Sequence, residues 1–302
     1  MKPTLLILAA GIGSRYGGIK QMDKFGPSGE SIIDYSIYDA IRAGFGKVVF
    51  VISPKIESEF KEFFNKKLNG KIATDYVLQE ISNVPEGIEV PKDRVKPWGT
   101  GHAVMVAKSK INEPFAVINA DDFYGSKSFD SISNYLSNLS SDSTDYCMVG
   151  YRLLNTLSDH GFVSRGICTS NKADFLETIV ERTHITKDSE GKIEYKEEGK
   201  GPISLTGNET ASMNLMGFPA SFFNHCETYF KDFIKENNQT LKAEFYLPFI
   251  VNSLISSGQA RMKVLDTPEK WFGVTYKEDK EVAVKKIASL VESKTYPANL
   301  WE

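Results

Sequence analysis

Cysteine is scarce: Cys147, Cys168 and Cys226 are the only three in 302 residues. They are odd in number and widely spaced, which excludes a disulfide framework and the paired spacing of a zinc site. They read as reduced thiols within a core. No run of about 18 consecutive apolar residues occurs, so no membrane-spanning helix is predicted. The apolar residues 5–10 end in small side chains, as a signal peptide does. They stand behind one lysine, are shorter than the usual hydrophobic region, and lead directly into a glycine-rich loop. Long basic blocks are also missing, and the net charge of −3 argues against a nucleic-acid surface. There is no internal repeat, and in particular no hexapeptide repeat of a β-helical acyltransferase appendage. What remains is the composition of a soluble enzyme, expected to be cytoplasmic. At 41% hydrophobic, the chain can bury one large core as a single domain, residues 1–302.

Chemistry first appears in the segment Leu5-Leu6-Ile7-Leu8-Ala9-Ala10-Gly11-Ile12-Gly13-Ser14-Arg15-Tyr16-Gly17-Gly18-Ile19-Lys20. A continuous apolar run bounded by glycine predicts a buried parallel strand. The glycines after it let backbone N–H groups close on a ligand, because no Cβ blocks positive φ or close approach. Successive N–H groups form a concave anion site, and Arg15 and Lys20 add two positive charges. Ala9, Ala10, Gly11, Gly13 and Ser14 thus describe a triphosphate cradle at the carboxyl end of a strand. A dinucleotide fingerprint fits less well. The glycines fall at 11, 13 and 17, and the second strand ends in Ser53-Pro54 with no acid for a ribose. No G-K-S/T follows at phosphate-loop spacing.

Strand and helix patterns then alternate. Helices are predicted over 31–43 (closed by Gly44), 56–68 and 101–109, and strands over 47–52, 75–78 and 115–120. Pro85, Pro91 and Pro97 mark 80–98 as a long loop. This predicts an α/β fold with a mostly parallel central sheet flanked by helices. The second half is richer in short strands (162–168, 175–182, 193–195, 211–217, 261–265). Helices are expected near 221–235, 243–256 and 278–291, and the stretch around Trp271 is expected to return to the sheet. Val117-Ile118-Asn119-Ala120-Asp121-Asp122 ends a strand in two carboxylates, at the rim where open α/β sheets bind ligands. Mg²⁺ is usually held by one or two carboxylates plus substrate phosphates. Asp122 either adds a water-mediated contact or caps the helix after it.

Leu8-Ala9-Ala10-Gly11-x-Gly13-Ser14-Arg15, with a lysine shortly after, resembles the signature of the sugar-1-phosphate nucleotidylyltransferases. That family includes uridylyl-, thymidylyl- and cytidylyltransferases. The resemblance implies a single Rossmann-like domain of GT-A type, with a nucleotide-binding half (1–125) and a sugar-binding half with closing helices (126–302). It implies Mg²⁺ on Asp121, the first acid after the strand. It places the base against Gln79 and Gly99, with Thr100 opening the next helix and His102 packing or capping there. Relatives keep the glutamine and glycine close, whereas here the long loop intervenes. The sugar is implied to meet Gly161 in His160-Gly161-Phe162-Val163, Glu181 in Val180-Glu181-Arg182, and Asn214 in the strand 212–217. Relatives carry a second metal ligand near the chain end, where this sequence reads Trp271-Phe272-Gly273-Val274-Thr275. That segment is closer to the V-T-x-x-D of cytidylyltransferases of isoprenoid synthesis. Thr275 would cap the last helix with Glu278, or Thr275 or Asp279 would stand near the metal.

The substrates so implied are a nucleoside triphosphate (UTP, dTTP or CTP) and a sugar-1-phosphate. The acceptor phosphate is already ionised near neutral pH, so no general base is required and catalysis is positioning plus charge neutralisation. Arg15 is assigned to the β- and γ-phosphates, and Lys20 to the α-phosphate and the incoming phosphate. Lys24 rivals Lys20, which is favoured because family variants read K-Q after the loop. Two other enzymes and a sensor compete. A cytidylyltransferase for phosphocholine or a similar phospho-alcohol would surround the ammonium with aromatics such as Trp98, Tyr124 and Trp271. A GT-A glycosyltransferase would use Asp121-Asp122 for its metal, but a leaving nucleoside diphosphate does not need the Arg15 and Lys20 loop. A non-catalytic nucleotide sensor would account for the irregular second metal ligand.

Overall fold

The computed structural model describes residues 1–11, 20–140, 142–158, 161–197, 199, 201–274 and 279–302. Its first half alternates as predicted: β1 (Thr4–Leu8), α1 (Ile32–Arg42), β2 (Lys47–Ile52), α2 (Glu57–Leu68), β3 (Ala73–Leu78), α3 (Thr100–Val106), β4 (Phe115–Asn119), β5 (Asp122–Phe123) and α4 (Ser126–Ser137). The second half holds β6 (Asp145–Arg152), β7 (Val163–Ser170), β8 (Leu176–Lys187), β9 (Ile193–Tyr195), β10 (Ile203–Leu205) and β11 (Thr210–Phe218). It closes with α5 (Phe222–Asn237), α6 (Leu247–Ser256), β12 (Arg261–Asp266), β13 (Phe272–Gly273) and α7 (Asp279–Glu292). The strands β5, β6 and β10 are additional to those the sequence pattern marked out.

The order β3-β2-β1-β4 is parallel throughout. The inner strands β1, β2 and β4 are largely apolar and buried, with core layers on both faces, whereas the edge strand β3 carries Thr74 and Asp75. Leu5 and Ile7 pack towards Ile33 and Ile37 of α1 and Phe60 and Phe64 of α2, while Leu6 packs towards Val104 of α3, Phe230 of α5 and Ile250 of α6. Beyond β4 the sheet turns mixed. β11 runs antiparallel to β4 and β6, and β12 runs parallel to β6. Residues 216–218 of β11 pair with β4, whereas 210–212 pair with β7, which starts the antiparallel run β7-β8-β9-β10. One strand therefore joins the parallel sheet to the β-rich half. It pivots at a bulge between Ser212 and Met216, where Asn214 takes a left-handed φ of 62°.

Two expectations are corrected. The stretch around Trp271 does not return to the main sheet: β13 pairs with β5 in a two-stranded ribbon, drawn there by Phe272 stacking on Phe123 at 4.5 Å. The helix expected from 243 begins at Leu247, because the Phe245 backbone is bonded instead to Trp98 and Gly101 (2.6 and 2.8 Å). Cys147, Cys168 and Cys226 are all buried and free. No helix among the described residues is long and apolar enough to cross a membrane.

Candidate active site

Register aligns the carboxyl ends of the parallel strands along one edge. Leu8 stands beside Val51 and Asn119, and Ile52 beside Leu78. The ladder continues for one residue beyond each strand, with Ala9 N–H bonded to Val51 O, Ala120 N–H to Leu8 O, and Gln79 N–H to Ile52 O (2.8, 3.2 and 2.9 Å). The β1 end, the Asp121 turn and Gln79 thus leave the sheet at the same rim, where open α/β sheets bind ligands.

At the β1 end, Ala9 and Ala10 are buried and their methyls enter opposite core layers, so only their backbone can face a ligand. Gly11 is exposed, and a Cβ there would meet nothing within 4 Å. The Gln21 side chain reaches back from the far end of the loop and donates to the carbonyls of Gly11 (2.8 Å) and Ala9 (3.4 Å). It ties the two ends of the loop together, a role not foreseen for it. Gly13, Ser14 and Arg15 lie outside the described residues, as does the side chain of Lys20. The Lys20 backbone opens a short 3-10 turn, Lys20–Met22. Lys24 is exposed and runs past Gly29, whose Cβ position is 3.6 Å from its stem.

Gln79 and Gly99 meet despite the long loop between them. Gln79 is buried, and its Nε2 donates to the Gly99 carbonyl at 3.1 Å. His102 is fully buried in the first turn of α3, with Nδ1 3.0 Å from Gln79 Nε2 and Nε2 2.8 Å from the Asn83 carbonyl. Burial lowers its pKa to about 4, against the pull of the Asn83 bond, so it packs in the neutral form. Gly99 has a φ of 101°, and a Cβ on it would lie 2.7 Å from the Phe245 carbonyl oxygen. The close approach this glycine permits is to Phe245. Thr100 Oγ1 accepts the Leu247 N–H at 3.0 Å, which leaves its hydroxyl engaged at the start of α6.

Asp121 is half-buried in the turn after β4. Asp122 does not cap the following helix; Gly125 occupies that position. Asp122 is buried instead in β5, where Oδ2 accepts Asn119 Nδ2 at 3.0 Å and lies 3.2 Å from the Tyr124 hydroxyl. That hydroxyl also bonds the Met213 carbonyl at 3.0 Å, next to Asn214. The acidic turn is thereby held against the bulge of β11. Among the described residues no group of three His, Cys, Asp or Glu stands ready for a metal. Thr275 and Glu278 lie outside the described residues, and Asp279 begins α7, 3.4 Å from Ser158 Oγ.

On the β-rich side, Ser212, Gly166 and Glu181 form one row across β11, β7 and β8. A Cβ on Gly166 would lie 3.8 Å from Glu181 Oε2, so the carboxylate leans over the glycine. Desolvation raises the Glu181 pKa and nearby Arg165 opposes the shift. Gly161 is exposed just before β7. Arg165 carried no signal in the sequence, being one arginine on a strand. It rests over the Trp271 ring at 4.7 Å and donates to the Thr156 and Ser164 carbonyls. Its pKa is lowered by burial, while Asp122, Glu181 and Asp279 pull it back up. Its charge thus interacts with both Asp122 of the acidic turn and Glu181. The aromatics suggested for an ammonium are engaged elsewhere. Trp98 and Tyr124 are fully buried, and Trp271 is buried beneath Arg165.

Solved structures share this fold across nearly the whole chain. The inositol-1-phosphate CTP transferase from T. maritima superposes with a TM-score of 0.59 at 13% identity, covering 95% of this chain and 96% of that one. A UDP-glucose pyrophosphorylase complexed with UDP-glucose gives 0.59 at 16% identity, covering 96% and 99%. No protein of curated function matches the sequence. The sequence profile described as Nucleotidyl transferase matches residues 4–188, more than half the chain and all the strands that form the parallel rim. This chain belongs to the nucleotidyl transferase family.

Proposed function

We propose that the protein transfers a nucleoside monophosphate from UTP, dTTP or CTP to a sugar-1-phosphate and releases pyrophosphate. The observation that carries this reading is the common rim of β1, β3 and β4. A glycine loop and an acidic turn leave adjacent strands there, and a strand-end glutamine leaves the same edge one strand further on, beyond β2. The neighbouring solved structures are named for a CTP transferase acting on inositol-1-phosphate and for a UDP-glucose pyrophosphorylase, which agrees with this reaction class. Residues 1–125 would supply the nucleotide half, and 126–302 the sugar half, of a single domain.

In this reaction an oxygen of the acceptor phosphate attacks the α-phosphorus in line and pyrophosphate leaves. The acceptor is ionised near neutral pH, so proton abstraction is unnecessary. Arg15 would hold the β- and γ-phosphates, and Lys20 the α-phosphate and the attacking oxygen; both act by neutralising charge in a fixed geometry. The backbone of Ala9, Ala10, Gly11, Gly13 and Ser14 would cradle the triphosphate. Gln79, Gly99 and the backbone of Thr100 would hold the base, and Gly161, Glu181 and Asn214 the sugar. The acidic turn suits a hard divalent cation. Asp121 is half-buried at the strand end, and the pinned neighbour Asp122 offers oxygen donors only. Mg²⁺ bound at Asp121 and the phosphates would supply Lewis-acid neutralisation of the donor.

The test is a matrix of nucleoside triphosphates against sugar-1-phosphates and phospho-alcohols, with pyrophosphate as the readout. Pyrophosphate should appear only when Mg²⁺, a pyrimidine triphosphate and a phosphorylated sugar are all present. Transfer from a nucleotide-sugar to an unphosphorylated acceptor, without pyrophosphate exchange, would replace this reading with a glycosyltransferase.

A further inference from the structure

The Gln79 amide reaches the rim with its nitrogen already committed. Nε2 donates to the Gly99 carbonyl at 3.1 Å and lies 3.0 Å from His102 Nδ1. The other ring nitrogen of His102 is 2.8 Å from the Asn83 carbonyl oxygen. A carbonyl only accepts, so the proton of this neutral, buried ring sits on Nε2, and Nδ1 presents a lone pair. That lone pair takes the second N–H of Gln79. Turning the amide over would set Oε1 against two acceptors at once, the Gly99 oxygen and His102 Nδ1. Both amide hydrogens are therefore used inside the protein, and among the described residues no hydrogen bond engages Oε1, which is left for a ligand.

We infer that His102 is a positioning residue which makes Gln79 an acceptor-only reader, so that the site selects a base presenting an N–H donor: the N3–H imide of uracil or thymine. Cytosine carries a lone pair at the same ring atom, which would face Oε1 acceptor to acceptor. A site built to hydrogen-bond a donor rejects the analogue lacking it by orders of magnitude, because its polar group is left unpaired. This narrows the donor substrate from pyrimidine triphosphates in general to UTP and dTTP. It rests on the reading that this rim holds the base, and it adds a function for His102. If His102 merely braced the loop, its loss would weaken all nucleotides alike.

The experiment measures equilibrium binding of UTP, CTP and N3-methyl-UTP to the full chain by calorimetry, beside pyrophosphate release with a sugar-1-phosphate. UTP should bind roughly 10²-fold or more tightly than either of the other two. In His102→Phe, which keeps a ring but removes the lone pair, one Gln79 N–H is released and only the Gly99 carbonyl still opposes turning of the amide, so the UTP-to-CTP ratio should fall about tenfold or more. The N3-methyl comparison uses the unaltered protein, so it stands whether or not the variant folds. CTP or N3-methyl-UTP binding within about threefold of UTP overturns the inference. So does an unchanged ratio in folded His102→Phe, and so does failure of all three nucleotides to bind. Selective UTP binding without pyrophosphate release would instead keep the inference and remove the transfer reaction. Equal pyrophosphate release from UTP and CTP would do the reverse.

Discussion

Gln79 and Gly99 are separated by 20 residues of sequence and joined by one hydrogen bond of 3.1 Å. The loop between them is pinned at its neck, so its length does not disperse the two groups. Trp98 Nε1 donates to the Ile81 carbonyl at 2.8 Å, and His102 bonds the Asn83 carbonyl across the same gap. Arg94 is buried from within the loop, its guanidinium 3.3 Å from the centre of the Trp98 ring and bonded to the carbonyls of Pro97, Thr240 and Ala243. Closing a longer loop costs only logarithmically more entropy, and these contacts offset it.

Arg94→Ala should therefore loosen the loop without touching the rim directly. Losing charged hydrogen bonds to three carbonyls, together with the ring contact, should cost about 2–4 kcal/mol. Thermal unfolding and limited proteolysis would report it, with a lower Tm and new cleavage within 80–98. An unchanged Tm with no new cleavage would show that the loop is held by something else.

At Gly99 the expected effect is steric. A Cβ would sit 2.7 Å from Phe245 O and 2.9 Å from Phe245 N, on a backbone with φ of 101°. Gly99→Ala should lower stability by about 2 kcal/mol or more. Nucleotide affinity should fall with it, because Phe245 must move. Denaturant titration beside calorimetric binding checks both effects.

For the phosphate loop, Arg15→Ala and Lys20→Ala should each lower turnover roughly 10²-fold or more while leaving Tm nearly unchanged, since each removes a charge from a loop. Lys24→Ala should stay close to normal. Steady-state kinetics that spare Lys20→Ala and abolish Lys24→Ala would move the role to Lys24.

Asp121→Ala should cost as much, and moderate extra Mg²⁺ should not restore it, because the carboxylate sets where the ion sits. The check is a Mg²⁺ titration of initial rate. An unchanged curve would take the metal away from Asp121.

Asp39 predicts a pH dependence. It is buried in α1, its Oδ2 accepting the Tyr296 hydroxyl at 2.6 Å, and its Oδ1 has no hydrogen-bond partner among the described residues. Burial pushes its pKa up to about 7, although the Tyr296 bond and Arg42 pull the other way, and Glu269 and Asp130 raise it slightly further. The folded value lies above the unfolded one, near 3.9. Below about pH 4 both states hold the proton and the stabilisation is complete. Between about 4 and 7 the unfolded chain ionises first, so stability falls as pH rises, and above about 7 the loss levels off. Asp39→Asn cannot ionise, and its Tm should gain on the wild type between pH 4 and pH 8. Parallel slopes for the two proteins would remove Asp39 as the source.

Residues 5–11 and 117–122 were legible because a strand buried on both faces must be apolar throughout, and the chain leaving it must change character abruptly. Glycine and aspartate at those points stand out against the run before them. The bulge at Asn214 was not legible as a bulge. Its left-handed φ follows from β11 being paired with β7 at one end and β4 at the other, and both partners are distant in sequence. Arg165 was missed for the same reason: Trp271, Asp122 and Glu181 reach it from three separate segments. Trp98, Tyr124 and Trp271 looked available as aromatics and proved to be core, since a ring alone does not announce which face is covered.

By itself the sequence determined the alternating elements, the parallel half and the residues that crowd the strand ends, because hydrophobic period and glycine placement act locally. Only the tertiary structure decided that Gln79 meets Gly99 across a long loop and that Asp122 is bound inward to Asn119. It alone fixed the Gln79 amide through His102 and Asn83. Those outcomes depend on hydrogen-bond partners brought together by sheet register and helix packing, which no local pattern encodes.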